Sequence, residues 1–558
     1  MNRNTDSKFA GVEQIERPRS KWKRDFDHKT TFNNGDLIPF LVDTDIIPGT
    51  TIKNTTSVLV RMNTPIVPVM DNCWLDTYYF KASKWWYWDH WREMMGENTY
   101  GAWAQTVEYS EPMIETTSSN NFTAGDLGNY FGIRQGVAGL SFNKIPVNCY
   151  IDIWNQWFRD QNLQAPIQFD TTDSNLTADG TIQTGFGTLK ACKYHDYFTS
   201  ALPAPQKGTA ISTPLGTTAP VIGNGMTLGL SGANVNVGLQ NSYLTATAAY
   251  TLVTKTTAYG TNAGSSSSGT DGINNYTLGV TTDPAKSGLI VDLTNATAAT
   301  INALRLAFAT QRILEADARG GTRYSELLRM HFGSAPKDAN LKRPEYLGGK
   351  KIPVSISSIF QTSSTDNTSP LGFTGAVSVT GDINEDFTEN FDEDCILMGL
   401  AVVRCQHSYA QGLPRQFTRT TRLDRFWPEL SKIGNTPIYN YEIYAQGASV
   451  VDANNDIIDN QVFGYKEAWQ EYIYKNNLVT GEISPDYAQS LDYWTYCDDY
   501  SSLPVLSDSW IKEPVEFMDR TLAVQSSTHH QFTADFYVEQ TIVAPIPMNR
   551  APGLIDHY

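Results

Sequence analysis

The sequence lacks any apolar run of the ~18 residues that a bilayer-spanning helix needs, so no helical membrane span is expected. Its opening stretch, MNRNTDSKFAGVEQ, has no apolar core, which argues against a secretory leader and for synthesis and assembly in a cytoplasm. Cysteine is sparse. Cys73, Cys149, Cys192, Cys395, Cys405 and Cys497 form no CxxC pair and fit no zinc-module spacing. They are expected as free, mostly buried thiols of a protein folded in a reducing compartment. Catalytic signatures are also missing: there is no GxSxG, HExxH, Walker A loop or GxGxxG. Gly348-Gly349-Lys350 lacks the upstream glycine and the following hydroxyl of a phosphate loop. The two suggestive histidine placements, Asp89-His90 and His529-His530, read as packed or exposed side chains. These absences argue against the commoner enzyme classes, although the members of a Ser/His/Asp triad need not be near in sequence, and no cofactor is expected.

Positive charge is in deficit, with 42 Lys and Arg against 59 Asp and Glu and a net charge of −17. Such a surface repels nucleic acid over most of its extent, so any phosphate contact must be local. One basic cluster carries an aromatic. RPRSKWKR places Arg17, Arg19, Lys21, Lys23 and Arg24 around Trp22. It reads either as a solvated arm or as an arm reaching phosphates, with Trp22 able to stack on an unpaired base. Charge of both signs is scarce between Pro205 and Thr300, where only Lys207, Lys255, Asp271, Asp283, Lys286 and Asp292 occur. Alternating Met226, Leu228 and Leu230, then Val235, Val237 and Leu239, predict short strands there, with Gly264–Gly269 as a loop tip. The contrast with the aromatic, charged flanks marks 205–300 as a module inserted into another domain.

What is present is β-like. At 558 residues the chain exceeds what one core usually supports. Leu37–Val42, Val58–Met62, Cys73–Phe80 and Cys395–Arg404 are β-branched or aromatic runs separated by Pro, Gly and Asn turns such as Ile47-Pro48-Gly49-Thr50. Helices are predicted at 84–95, at 148–160 with Ile151, Trp154 and Phe158 on one face, and around Lys466–Tyr474. The clearest spans 301–332, with Ile301, Leu304, Phe308 and Leu314 in a stripe and a break at Gly320-Gly321. Few helices among many short strands indicate a mainly β core with helices in its connections. Asp382 to Asp394 holds seven carboxylates; Asp392, Glu393 and Asp394 are its weak metal candidates, without EF-hand spacing. Asp452, Asn454 and Asp456 alternate oxygen ligands without the closing Glu.

Several segments resemble the major capsid protein of microviruses, the gokushovirus branch of small single-stranded DNA phages. Before the insert they are Lys29-Thr-Thr-Phe32, Gly35-Asp-Leu-Ile-Pro-Phe40, Leu59-Val-Arg-Met62, Ile153-Trp-Asn-Gln-Trp-Phe-Arg-Asp160 and His195-Asp-Tyr-Phe-Thr-Ser-Ala-Leu-Pro203. After it come Asp317-Ala-Arg-Gly-Gly-Thr-Arg-Tyr324, Arg343-Pro-Glu-Tyr-Leu-Gly-Gly349, Gln411-Gly-Leu-Pro-Arg415, Phe463-Gly-Tyr-Lys-Glu-Ala-Trp469 and Pro552-Gly-Leu-Ile-Asp-His-Tyr558. The resemblance implies a viral eight-stranded antiparallel jelly roll with long insertions. It also implies self-assembly into a T=1 icosahedral shell around circular single-stranded DNA. Residues 1–35 then read as an interior arm, with Arg17, Arg19, Lys21, Trp22, Lys23 and Arg24 as DNA-contact candidates. Residues 36–204 and 301–558 read as the two parts of the core, and 205–300 as a variable surface protrusion used in host attachment. Arg319, Arg323 and Arg329, around the Gly-Gly break, are read as subunit-interface donors. The implied partners are copies of itself, a small basic DNA-binding virion protein, a minor or pilot capsid protein, the genome and a bacterial surface receptor. A carbohydrate-binding, adhesin-like β protein is the alternative, and a glycoside hydrolase a third reading. Missing secretion signals weigh against the former, and unpaired carboxylates against the latter.

Overall fold

The computed structural model describes residues 18–99, 101, 107–209, 211, 221–223, 289–291, 301–363 and 370–548. Contacts divide the chain into two compact units, residues 1–207 with 315–558, and residues 208–314. In the second, Val221–Gly223 pairs with Leu289–Val291. The remaining readings made for 205–300, including its alternating strands and the Gly264–Gly269 tip, lie outside the described residues, as do Arg17 and Pro552–Tyr558.

Eight long strands build the first unit: β1 Ser20–Phe32, β2 Ile38–Ile46, β3 Thr50–Met62, β4 Cys73–Ser83, β5 Glu345–Pro353, β6 Thr380–Phe391, β7 Cys395–Cys405 and β8 Phe532–Ala544. One sheet has the order β1-β8-β3-β6 and the other β5-β4-β7-β2. All six pairings are antiparallel. Two four-stranded sheets interleaved in this way form a jelly roll of two Greek keys, the fold that the resemblance implies.

The sequence explains the layering. In β3 and β8 alternate residues are buried and exposed, as expected for strands with one face on a core. β7 is buried along both faces. Its Cys395, Leu397, Ala401, Val403 and Cys405 pack between the sheets with Phe40, Tyr79, Phe391 and Phe536. Its Ile396, Met398, Leu400 and Val402 face a second core with Tyr87, Trp88, Ile151, Trp154 and Phe158 from the β4–β5 connection. A third cluster, around Phe198, Tyr409, Ile438 and Phe463, holds the β7–β8 connection. All six cysteines are free and buried.

The N-terminal segment differs from an arm spanning 1–35, because Ser20–Phe32 pairs residue for residue with β8 as an edge strand. On its inward face Trp22, Phe26 and Phe32 reach the inter-sheet core, and that burial holds the strand down. The 84–95 helix is reduced to two turns, Lys84–Trp86 and Trp91–Met94. Trp88 donates its indole N–H to Asp173 at 2.7 Å, and the backbone N–H of Asp89 bonds Thr171 instead of continuing a helix. The 148–160 helix begins earlier, as α1 Ile145–Ile153, and passes into a π turn at Trp154–Phe158. Lys466–Tyr474 contains the end of strand Val462–Glu467 and a single turn, Gln470–Ile473, because Trp469 takes a left-handed φ of 68°. The 301–332 helix does break at the glycines, into α2 Ile301–Gly320 and α3 Tyr324–Phe332, with Gly321 at φ 99°.

Gly349 has a packing role. A Cβ there would lie 2.0 Å from Thr77 O, beside the register shift between Tyr346 and Gly348 where β5 joins β4. Gly349→Ala should therefore strain the edge strand and cost roughly 1–3 kcal/mol in urea unfolding.

The β7–β8 connection is tied back by a buried ionic knot. His407 Nδ1 donates to Asp498 at 2.7 Å and Nε2 to Glu513 at 3.2 Å, which requires the imidazolium form. Glu513 also accepts from Asn34 Nδ2 at 3.0 Å and from the Cys405 N–H at 3.1 Å, and Lys193 lies 3.5 Å from Asp498. Burial disfavours the charged ring, but Asp498 and Glu513 outweigh it and raise the His407 pKa from 6.5 to about 9. Burial opposes both carboxylates too, yet His407 holds them below their usual range. The His407 contribution is on the order of 3 kcal/mol, complete below about pH 6.5 and lost as pH rises through about 9. Thermal melts between about pH 6 and 10 should lose stability over that window, and His407→Gln should be less stable below it and lack the slope.

Candidate functional site

A cavity of about 1030 Å³ opens in the first unit beside the Gly320-Gly321 break. Arg319, Arg323 and Arg329 all line it, so the fold brings the three predicted arginines together. Their situations differ. Arg323 is largely buried and donates through Nη2 to the carbonyls of Asn155 and Arg159, both at 2.9 Å, and through Nη1 to Glu326 at 3.2 Å. It satisfies carbonyls at the end of α1 and its π turn, so its donors serve the chain's own fold. Arg319 and Arg329 are exposed and have no ion-pair partner among the described residues.

The sequence reading missed most of the remaining lining. Arg404 donates to Asp76 at 2.5 Å and to the Tyr78 hydroxyl at 2.6 Å, and its guanidinium lies 4.2 Å from the Tyr194 ring centre. Arg159 donates to Gln164 O at 2.5 Å. Burial lowers its pKa, and the neighbouring Arg323 charge adds to that effect. The Nε atoms of Arg159, Arg323 and Arg404 meet no acceptor among the described residues. Tyr78, Trp157 and Tyr346 complete an aromatic wall. Cationic donors beside flat rings suit carboxylate or phosphate groups carried on a larger partner. The only available signal was Arg159 at the end of the Trp154–Phe158 aromatic run; Arg404 sits at the end of an apolar strand and carries none.

The basic cluster behaves differently from a free arm. Arg19 bonds the Gly49 carbonyl, and Arg24 pairs with Asp43 while its Nε donates to Gln540 at 2.9 Å. Trp22 is half-buried against the core, so its ring is not free for stacking. Lys21 and Lys23 point outward, and their side chains form no hydrogen bond or ion pair among the described residues.

The acidic candidates do not converge. Glu393 accepts from Ser83 and from the Trp85 indole at 3.1 Å, while Asp392 accepts from Asn390. The Asp394 backbone carbonyl accepts the Lys84 N–H. Asp452 closes its own turn by accepting the N–H groups of Asn454 at 2.8 Å and Asp456 at 2.9 Å. Among the described residues, no three His, Cys, Asp or Glu side chains gather as metal ligands.

This architecture has relatives over its full length. Residues 10–554 match the family described as "Capsid protein (F protein)". The chain belongs to this capsid-protein family. It is 35% identical to the capsid protein VP1 of Bdellovibrio phage phiMH2K over 567 aligned positions, covering 100% of this chain and 99% of that one. It is 32% identical to VP1 of Chlamydia phage 1, covering 98% of each, and 36% identical to VP1 of Spiroplasma virus 4, covering 96% and 95%. The protein is thus a structural capsid protein of the microvirus type, a component of the virion, and the resemblance carried by its motifs is correct.

The two classes of cavity arginine in this capsid protein should separate experimentally. Arg323→Ala strands two carbonyls and should cost on the order of 2 kcal/mol in urea unfolding. Arg319→Ala and Arg329→Ala should each change stability by less than about 0.5 kcal/mol.

Proposed function

We propose that copies of this chain close into a T=1 icosahedral shell around single-stranded DNA, assembled in the cytoplasm of a bacterial host. The observation that carries this reading is the pairing of a complete two-sheet jelly roll with full-length kinship to capsid proteins. Jelly rolls build shells by joining unlike patches around several axes. Arg319 and Arg329 serve as donors to carboxylates of a neighbouring copy; the acidic surface of a −17 chain supplies acceptors.

Contact with DNA is local in this reading. Lys21 and Lys23, on the outward face of β1, touch phosphates together with the basic residues that precede them. Most neutralisation comes from a small basic virion protein, and a pilot protein completes the particle. The 205–300 module is the surface protrusion that meets the host receptor.

Expression of the full chain followed by negative-stain microscopy tests the shell. Closed particles are the expected result, and a protein that remains monomeric at high concentration overturns the reading. Lys21→Glu/Lys23→Glu should flatten the salt dependence of single-stranded DNA binding by about 1–1.5 in log–log slope, given ~0.7 per phosphate contact; an unchanged slope removes these lysines from the contact. Joining residues 207 and 299 should leave particles that form but no longer adsorb to host cells. Unaltered adsorption would take the attachment role away from the module.

A further inference from the structure

The outer face of the β1-β8-β3-β6 sheet is polar at one side and apolar at the other. Along β1 it presents Lys21, Lys23, Asp25, Asp27 and Lys29, as a solvated sheet face should. At β6 it changes character. From Phe373 to Ile383 the chain alternates, with even residues buried or half-buried and odd residues exposed, apart from the half-buried Gly375. Those odd residues are Phe373, Gly375, Val377, Val379, Gly381 and Ile383. None is charged, and Phe373, Val377, Val379 and Ile383 are 53, 41, 45 and 70% exposed. Leu59 stands opposite Gly381, and Ile359 opposite Gly375, so both add to the same face at 41 and 52% exposure. Part of this stripe is carried by the hairpin Ile356–Phe360/Thr374–Ser378, and a two-stranded hairpin is marginal in water without cover.

We infer that this stripe is a self-association face, covered in the assembled protein by the same stripe of a second copy. The inference rests on the capsid reading and adds the surface that carries one contact. Three observations favour a second copy. The stripe has no charged side chain, so pairing it with itself brings no like charges together. Its margin on the outward face is closed by ion pairs already made within the chain, Lys53–Glu385 at 2.8 Å and, beside Leu59, Lys29–Asp535 at 3.5 Å, which gives an apolar centre with a polar rim. The exposed side-chain area of these residues is on the order of 500–600 Å², approaching the ~800 Å² per partner of a standard interface before backbone and rim are added.

The test uses the full-length protein with Val377→Glu/Ile383→Glu and, as a milder pair that preserves β-branching, Val377→Thr/Ile383→Thr. Sedimentation velocity should show association weakened about ten-fold or more for the glutamate pair and less for the threonine pair, at unchanged melting temperature. If the glutamate pair does not fold, the threonine pair decides alone. Self-pairing is read from Val379→Cys with a short bismaleimide, against a low background because all six native thiols are buried. A covalent dimer is expected. Wild-type association by the folded variants, or assembled particles that give no cross-linked dimer, overturns the self-pairing. A wild-type chain that never associates fails differently: it removes the shell reading and this face with it.

Discussion

The double burial of β7 is the constraint on which the other layers depend. A strand covered on one side has its register fixed by polarity, because a slip of one residue would turn apolar side chains to water. β7 has no such guide, since Cys395 to Val403 are apolar on both faces. Size sets its position instead. Gly399 sits where a Cβ would come within 2.9 Å of Leu41 Cβ, 3.1 Å of Phe40 and 3.2 Å of Tyr79. Only a residue without a side chain fits under the stacked Phe40 and Phe536 rings, whose centroids are 4.4 Å apart. Shape therefore determines how both neighbouring strands meet β7, and through them both cores.

That arrangement decides where function can reside. The β5-β4-β7-β2 sheet is covered on both faces, by the partner sheet and by the tryptophan-rich segment around α1. Among the described residues, the outer side of β1-β8-β3-β6 is an open β surface, whereas the other sheet is reached at the cavity, through Tyr78, Tyr346 and Arg404. The arginine-lined cavity arises where the π turn after α1 and the glycine break before α3 meet the edge of that sheet. The His407 knot does comparable work for the β7–β8 connection. It joins Asn34, Lys193, Asp498 and Glu513, distant in sequence, through one protonated ring. A long loop anchored at an internal charge can present a defined surface without a core of its own.

Much of this was legible in the sequence, for reasons that particular residues make plain. The strands at Leu37–Val42 and Cys395–Arg404 follow from β-branched runs bounded by turn residues, and the helix break follows from two adjacent glycines. The edge strand Ser20–Phe32 was hidden because Lys and Asp fill its odd positions from 21 to 29 and Arg24 and His28 interrupt the inward face, so Trp22, Phe26 and Phe32 look like isolated aromatics in a charged arm. The 84–95 segment misled because tryptophans spaced for a helix also suit irregular turns when long-range acceptors capture the indoles, as Glu393 does for Trp85 and Asp173 for Trp88. Sequence proximity identified Arg319, Arg323 and Arg329, but nothing local distinguishes the one bound to carbonyls from the two left open. Arg404 and Arg159 join them only through long-range pairing of β7 and the placement of α1.

The allocation of positive charge connects these points to the particle. Arg24, Arg323, Arg404, Arg415 and Arg419 are each paired with a carboxylate of their own chain. A guanidinium held in such a pair releases no counterion from a phosphate, so it adds little to binding a polyanion. In a chain already at −17, that withdrawal deepens the deficit of free positive charge, and Lys21 and Lys23 lie open on the outward face of β1. That scarcity is the physical ground for assigning most DNA neutralisation in the proposed shell to a separate basic protein. It also favours contacts between copies through uncharged surface such as the Phe373–Ile383 stripe. Bringing like-charged acidic faces together would cost energy at every axis, whereas a charge-free face lowers the free energy of association by excluding water and leaves the acidic remainder in solvent.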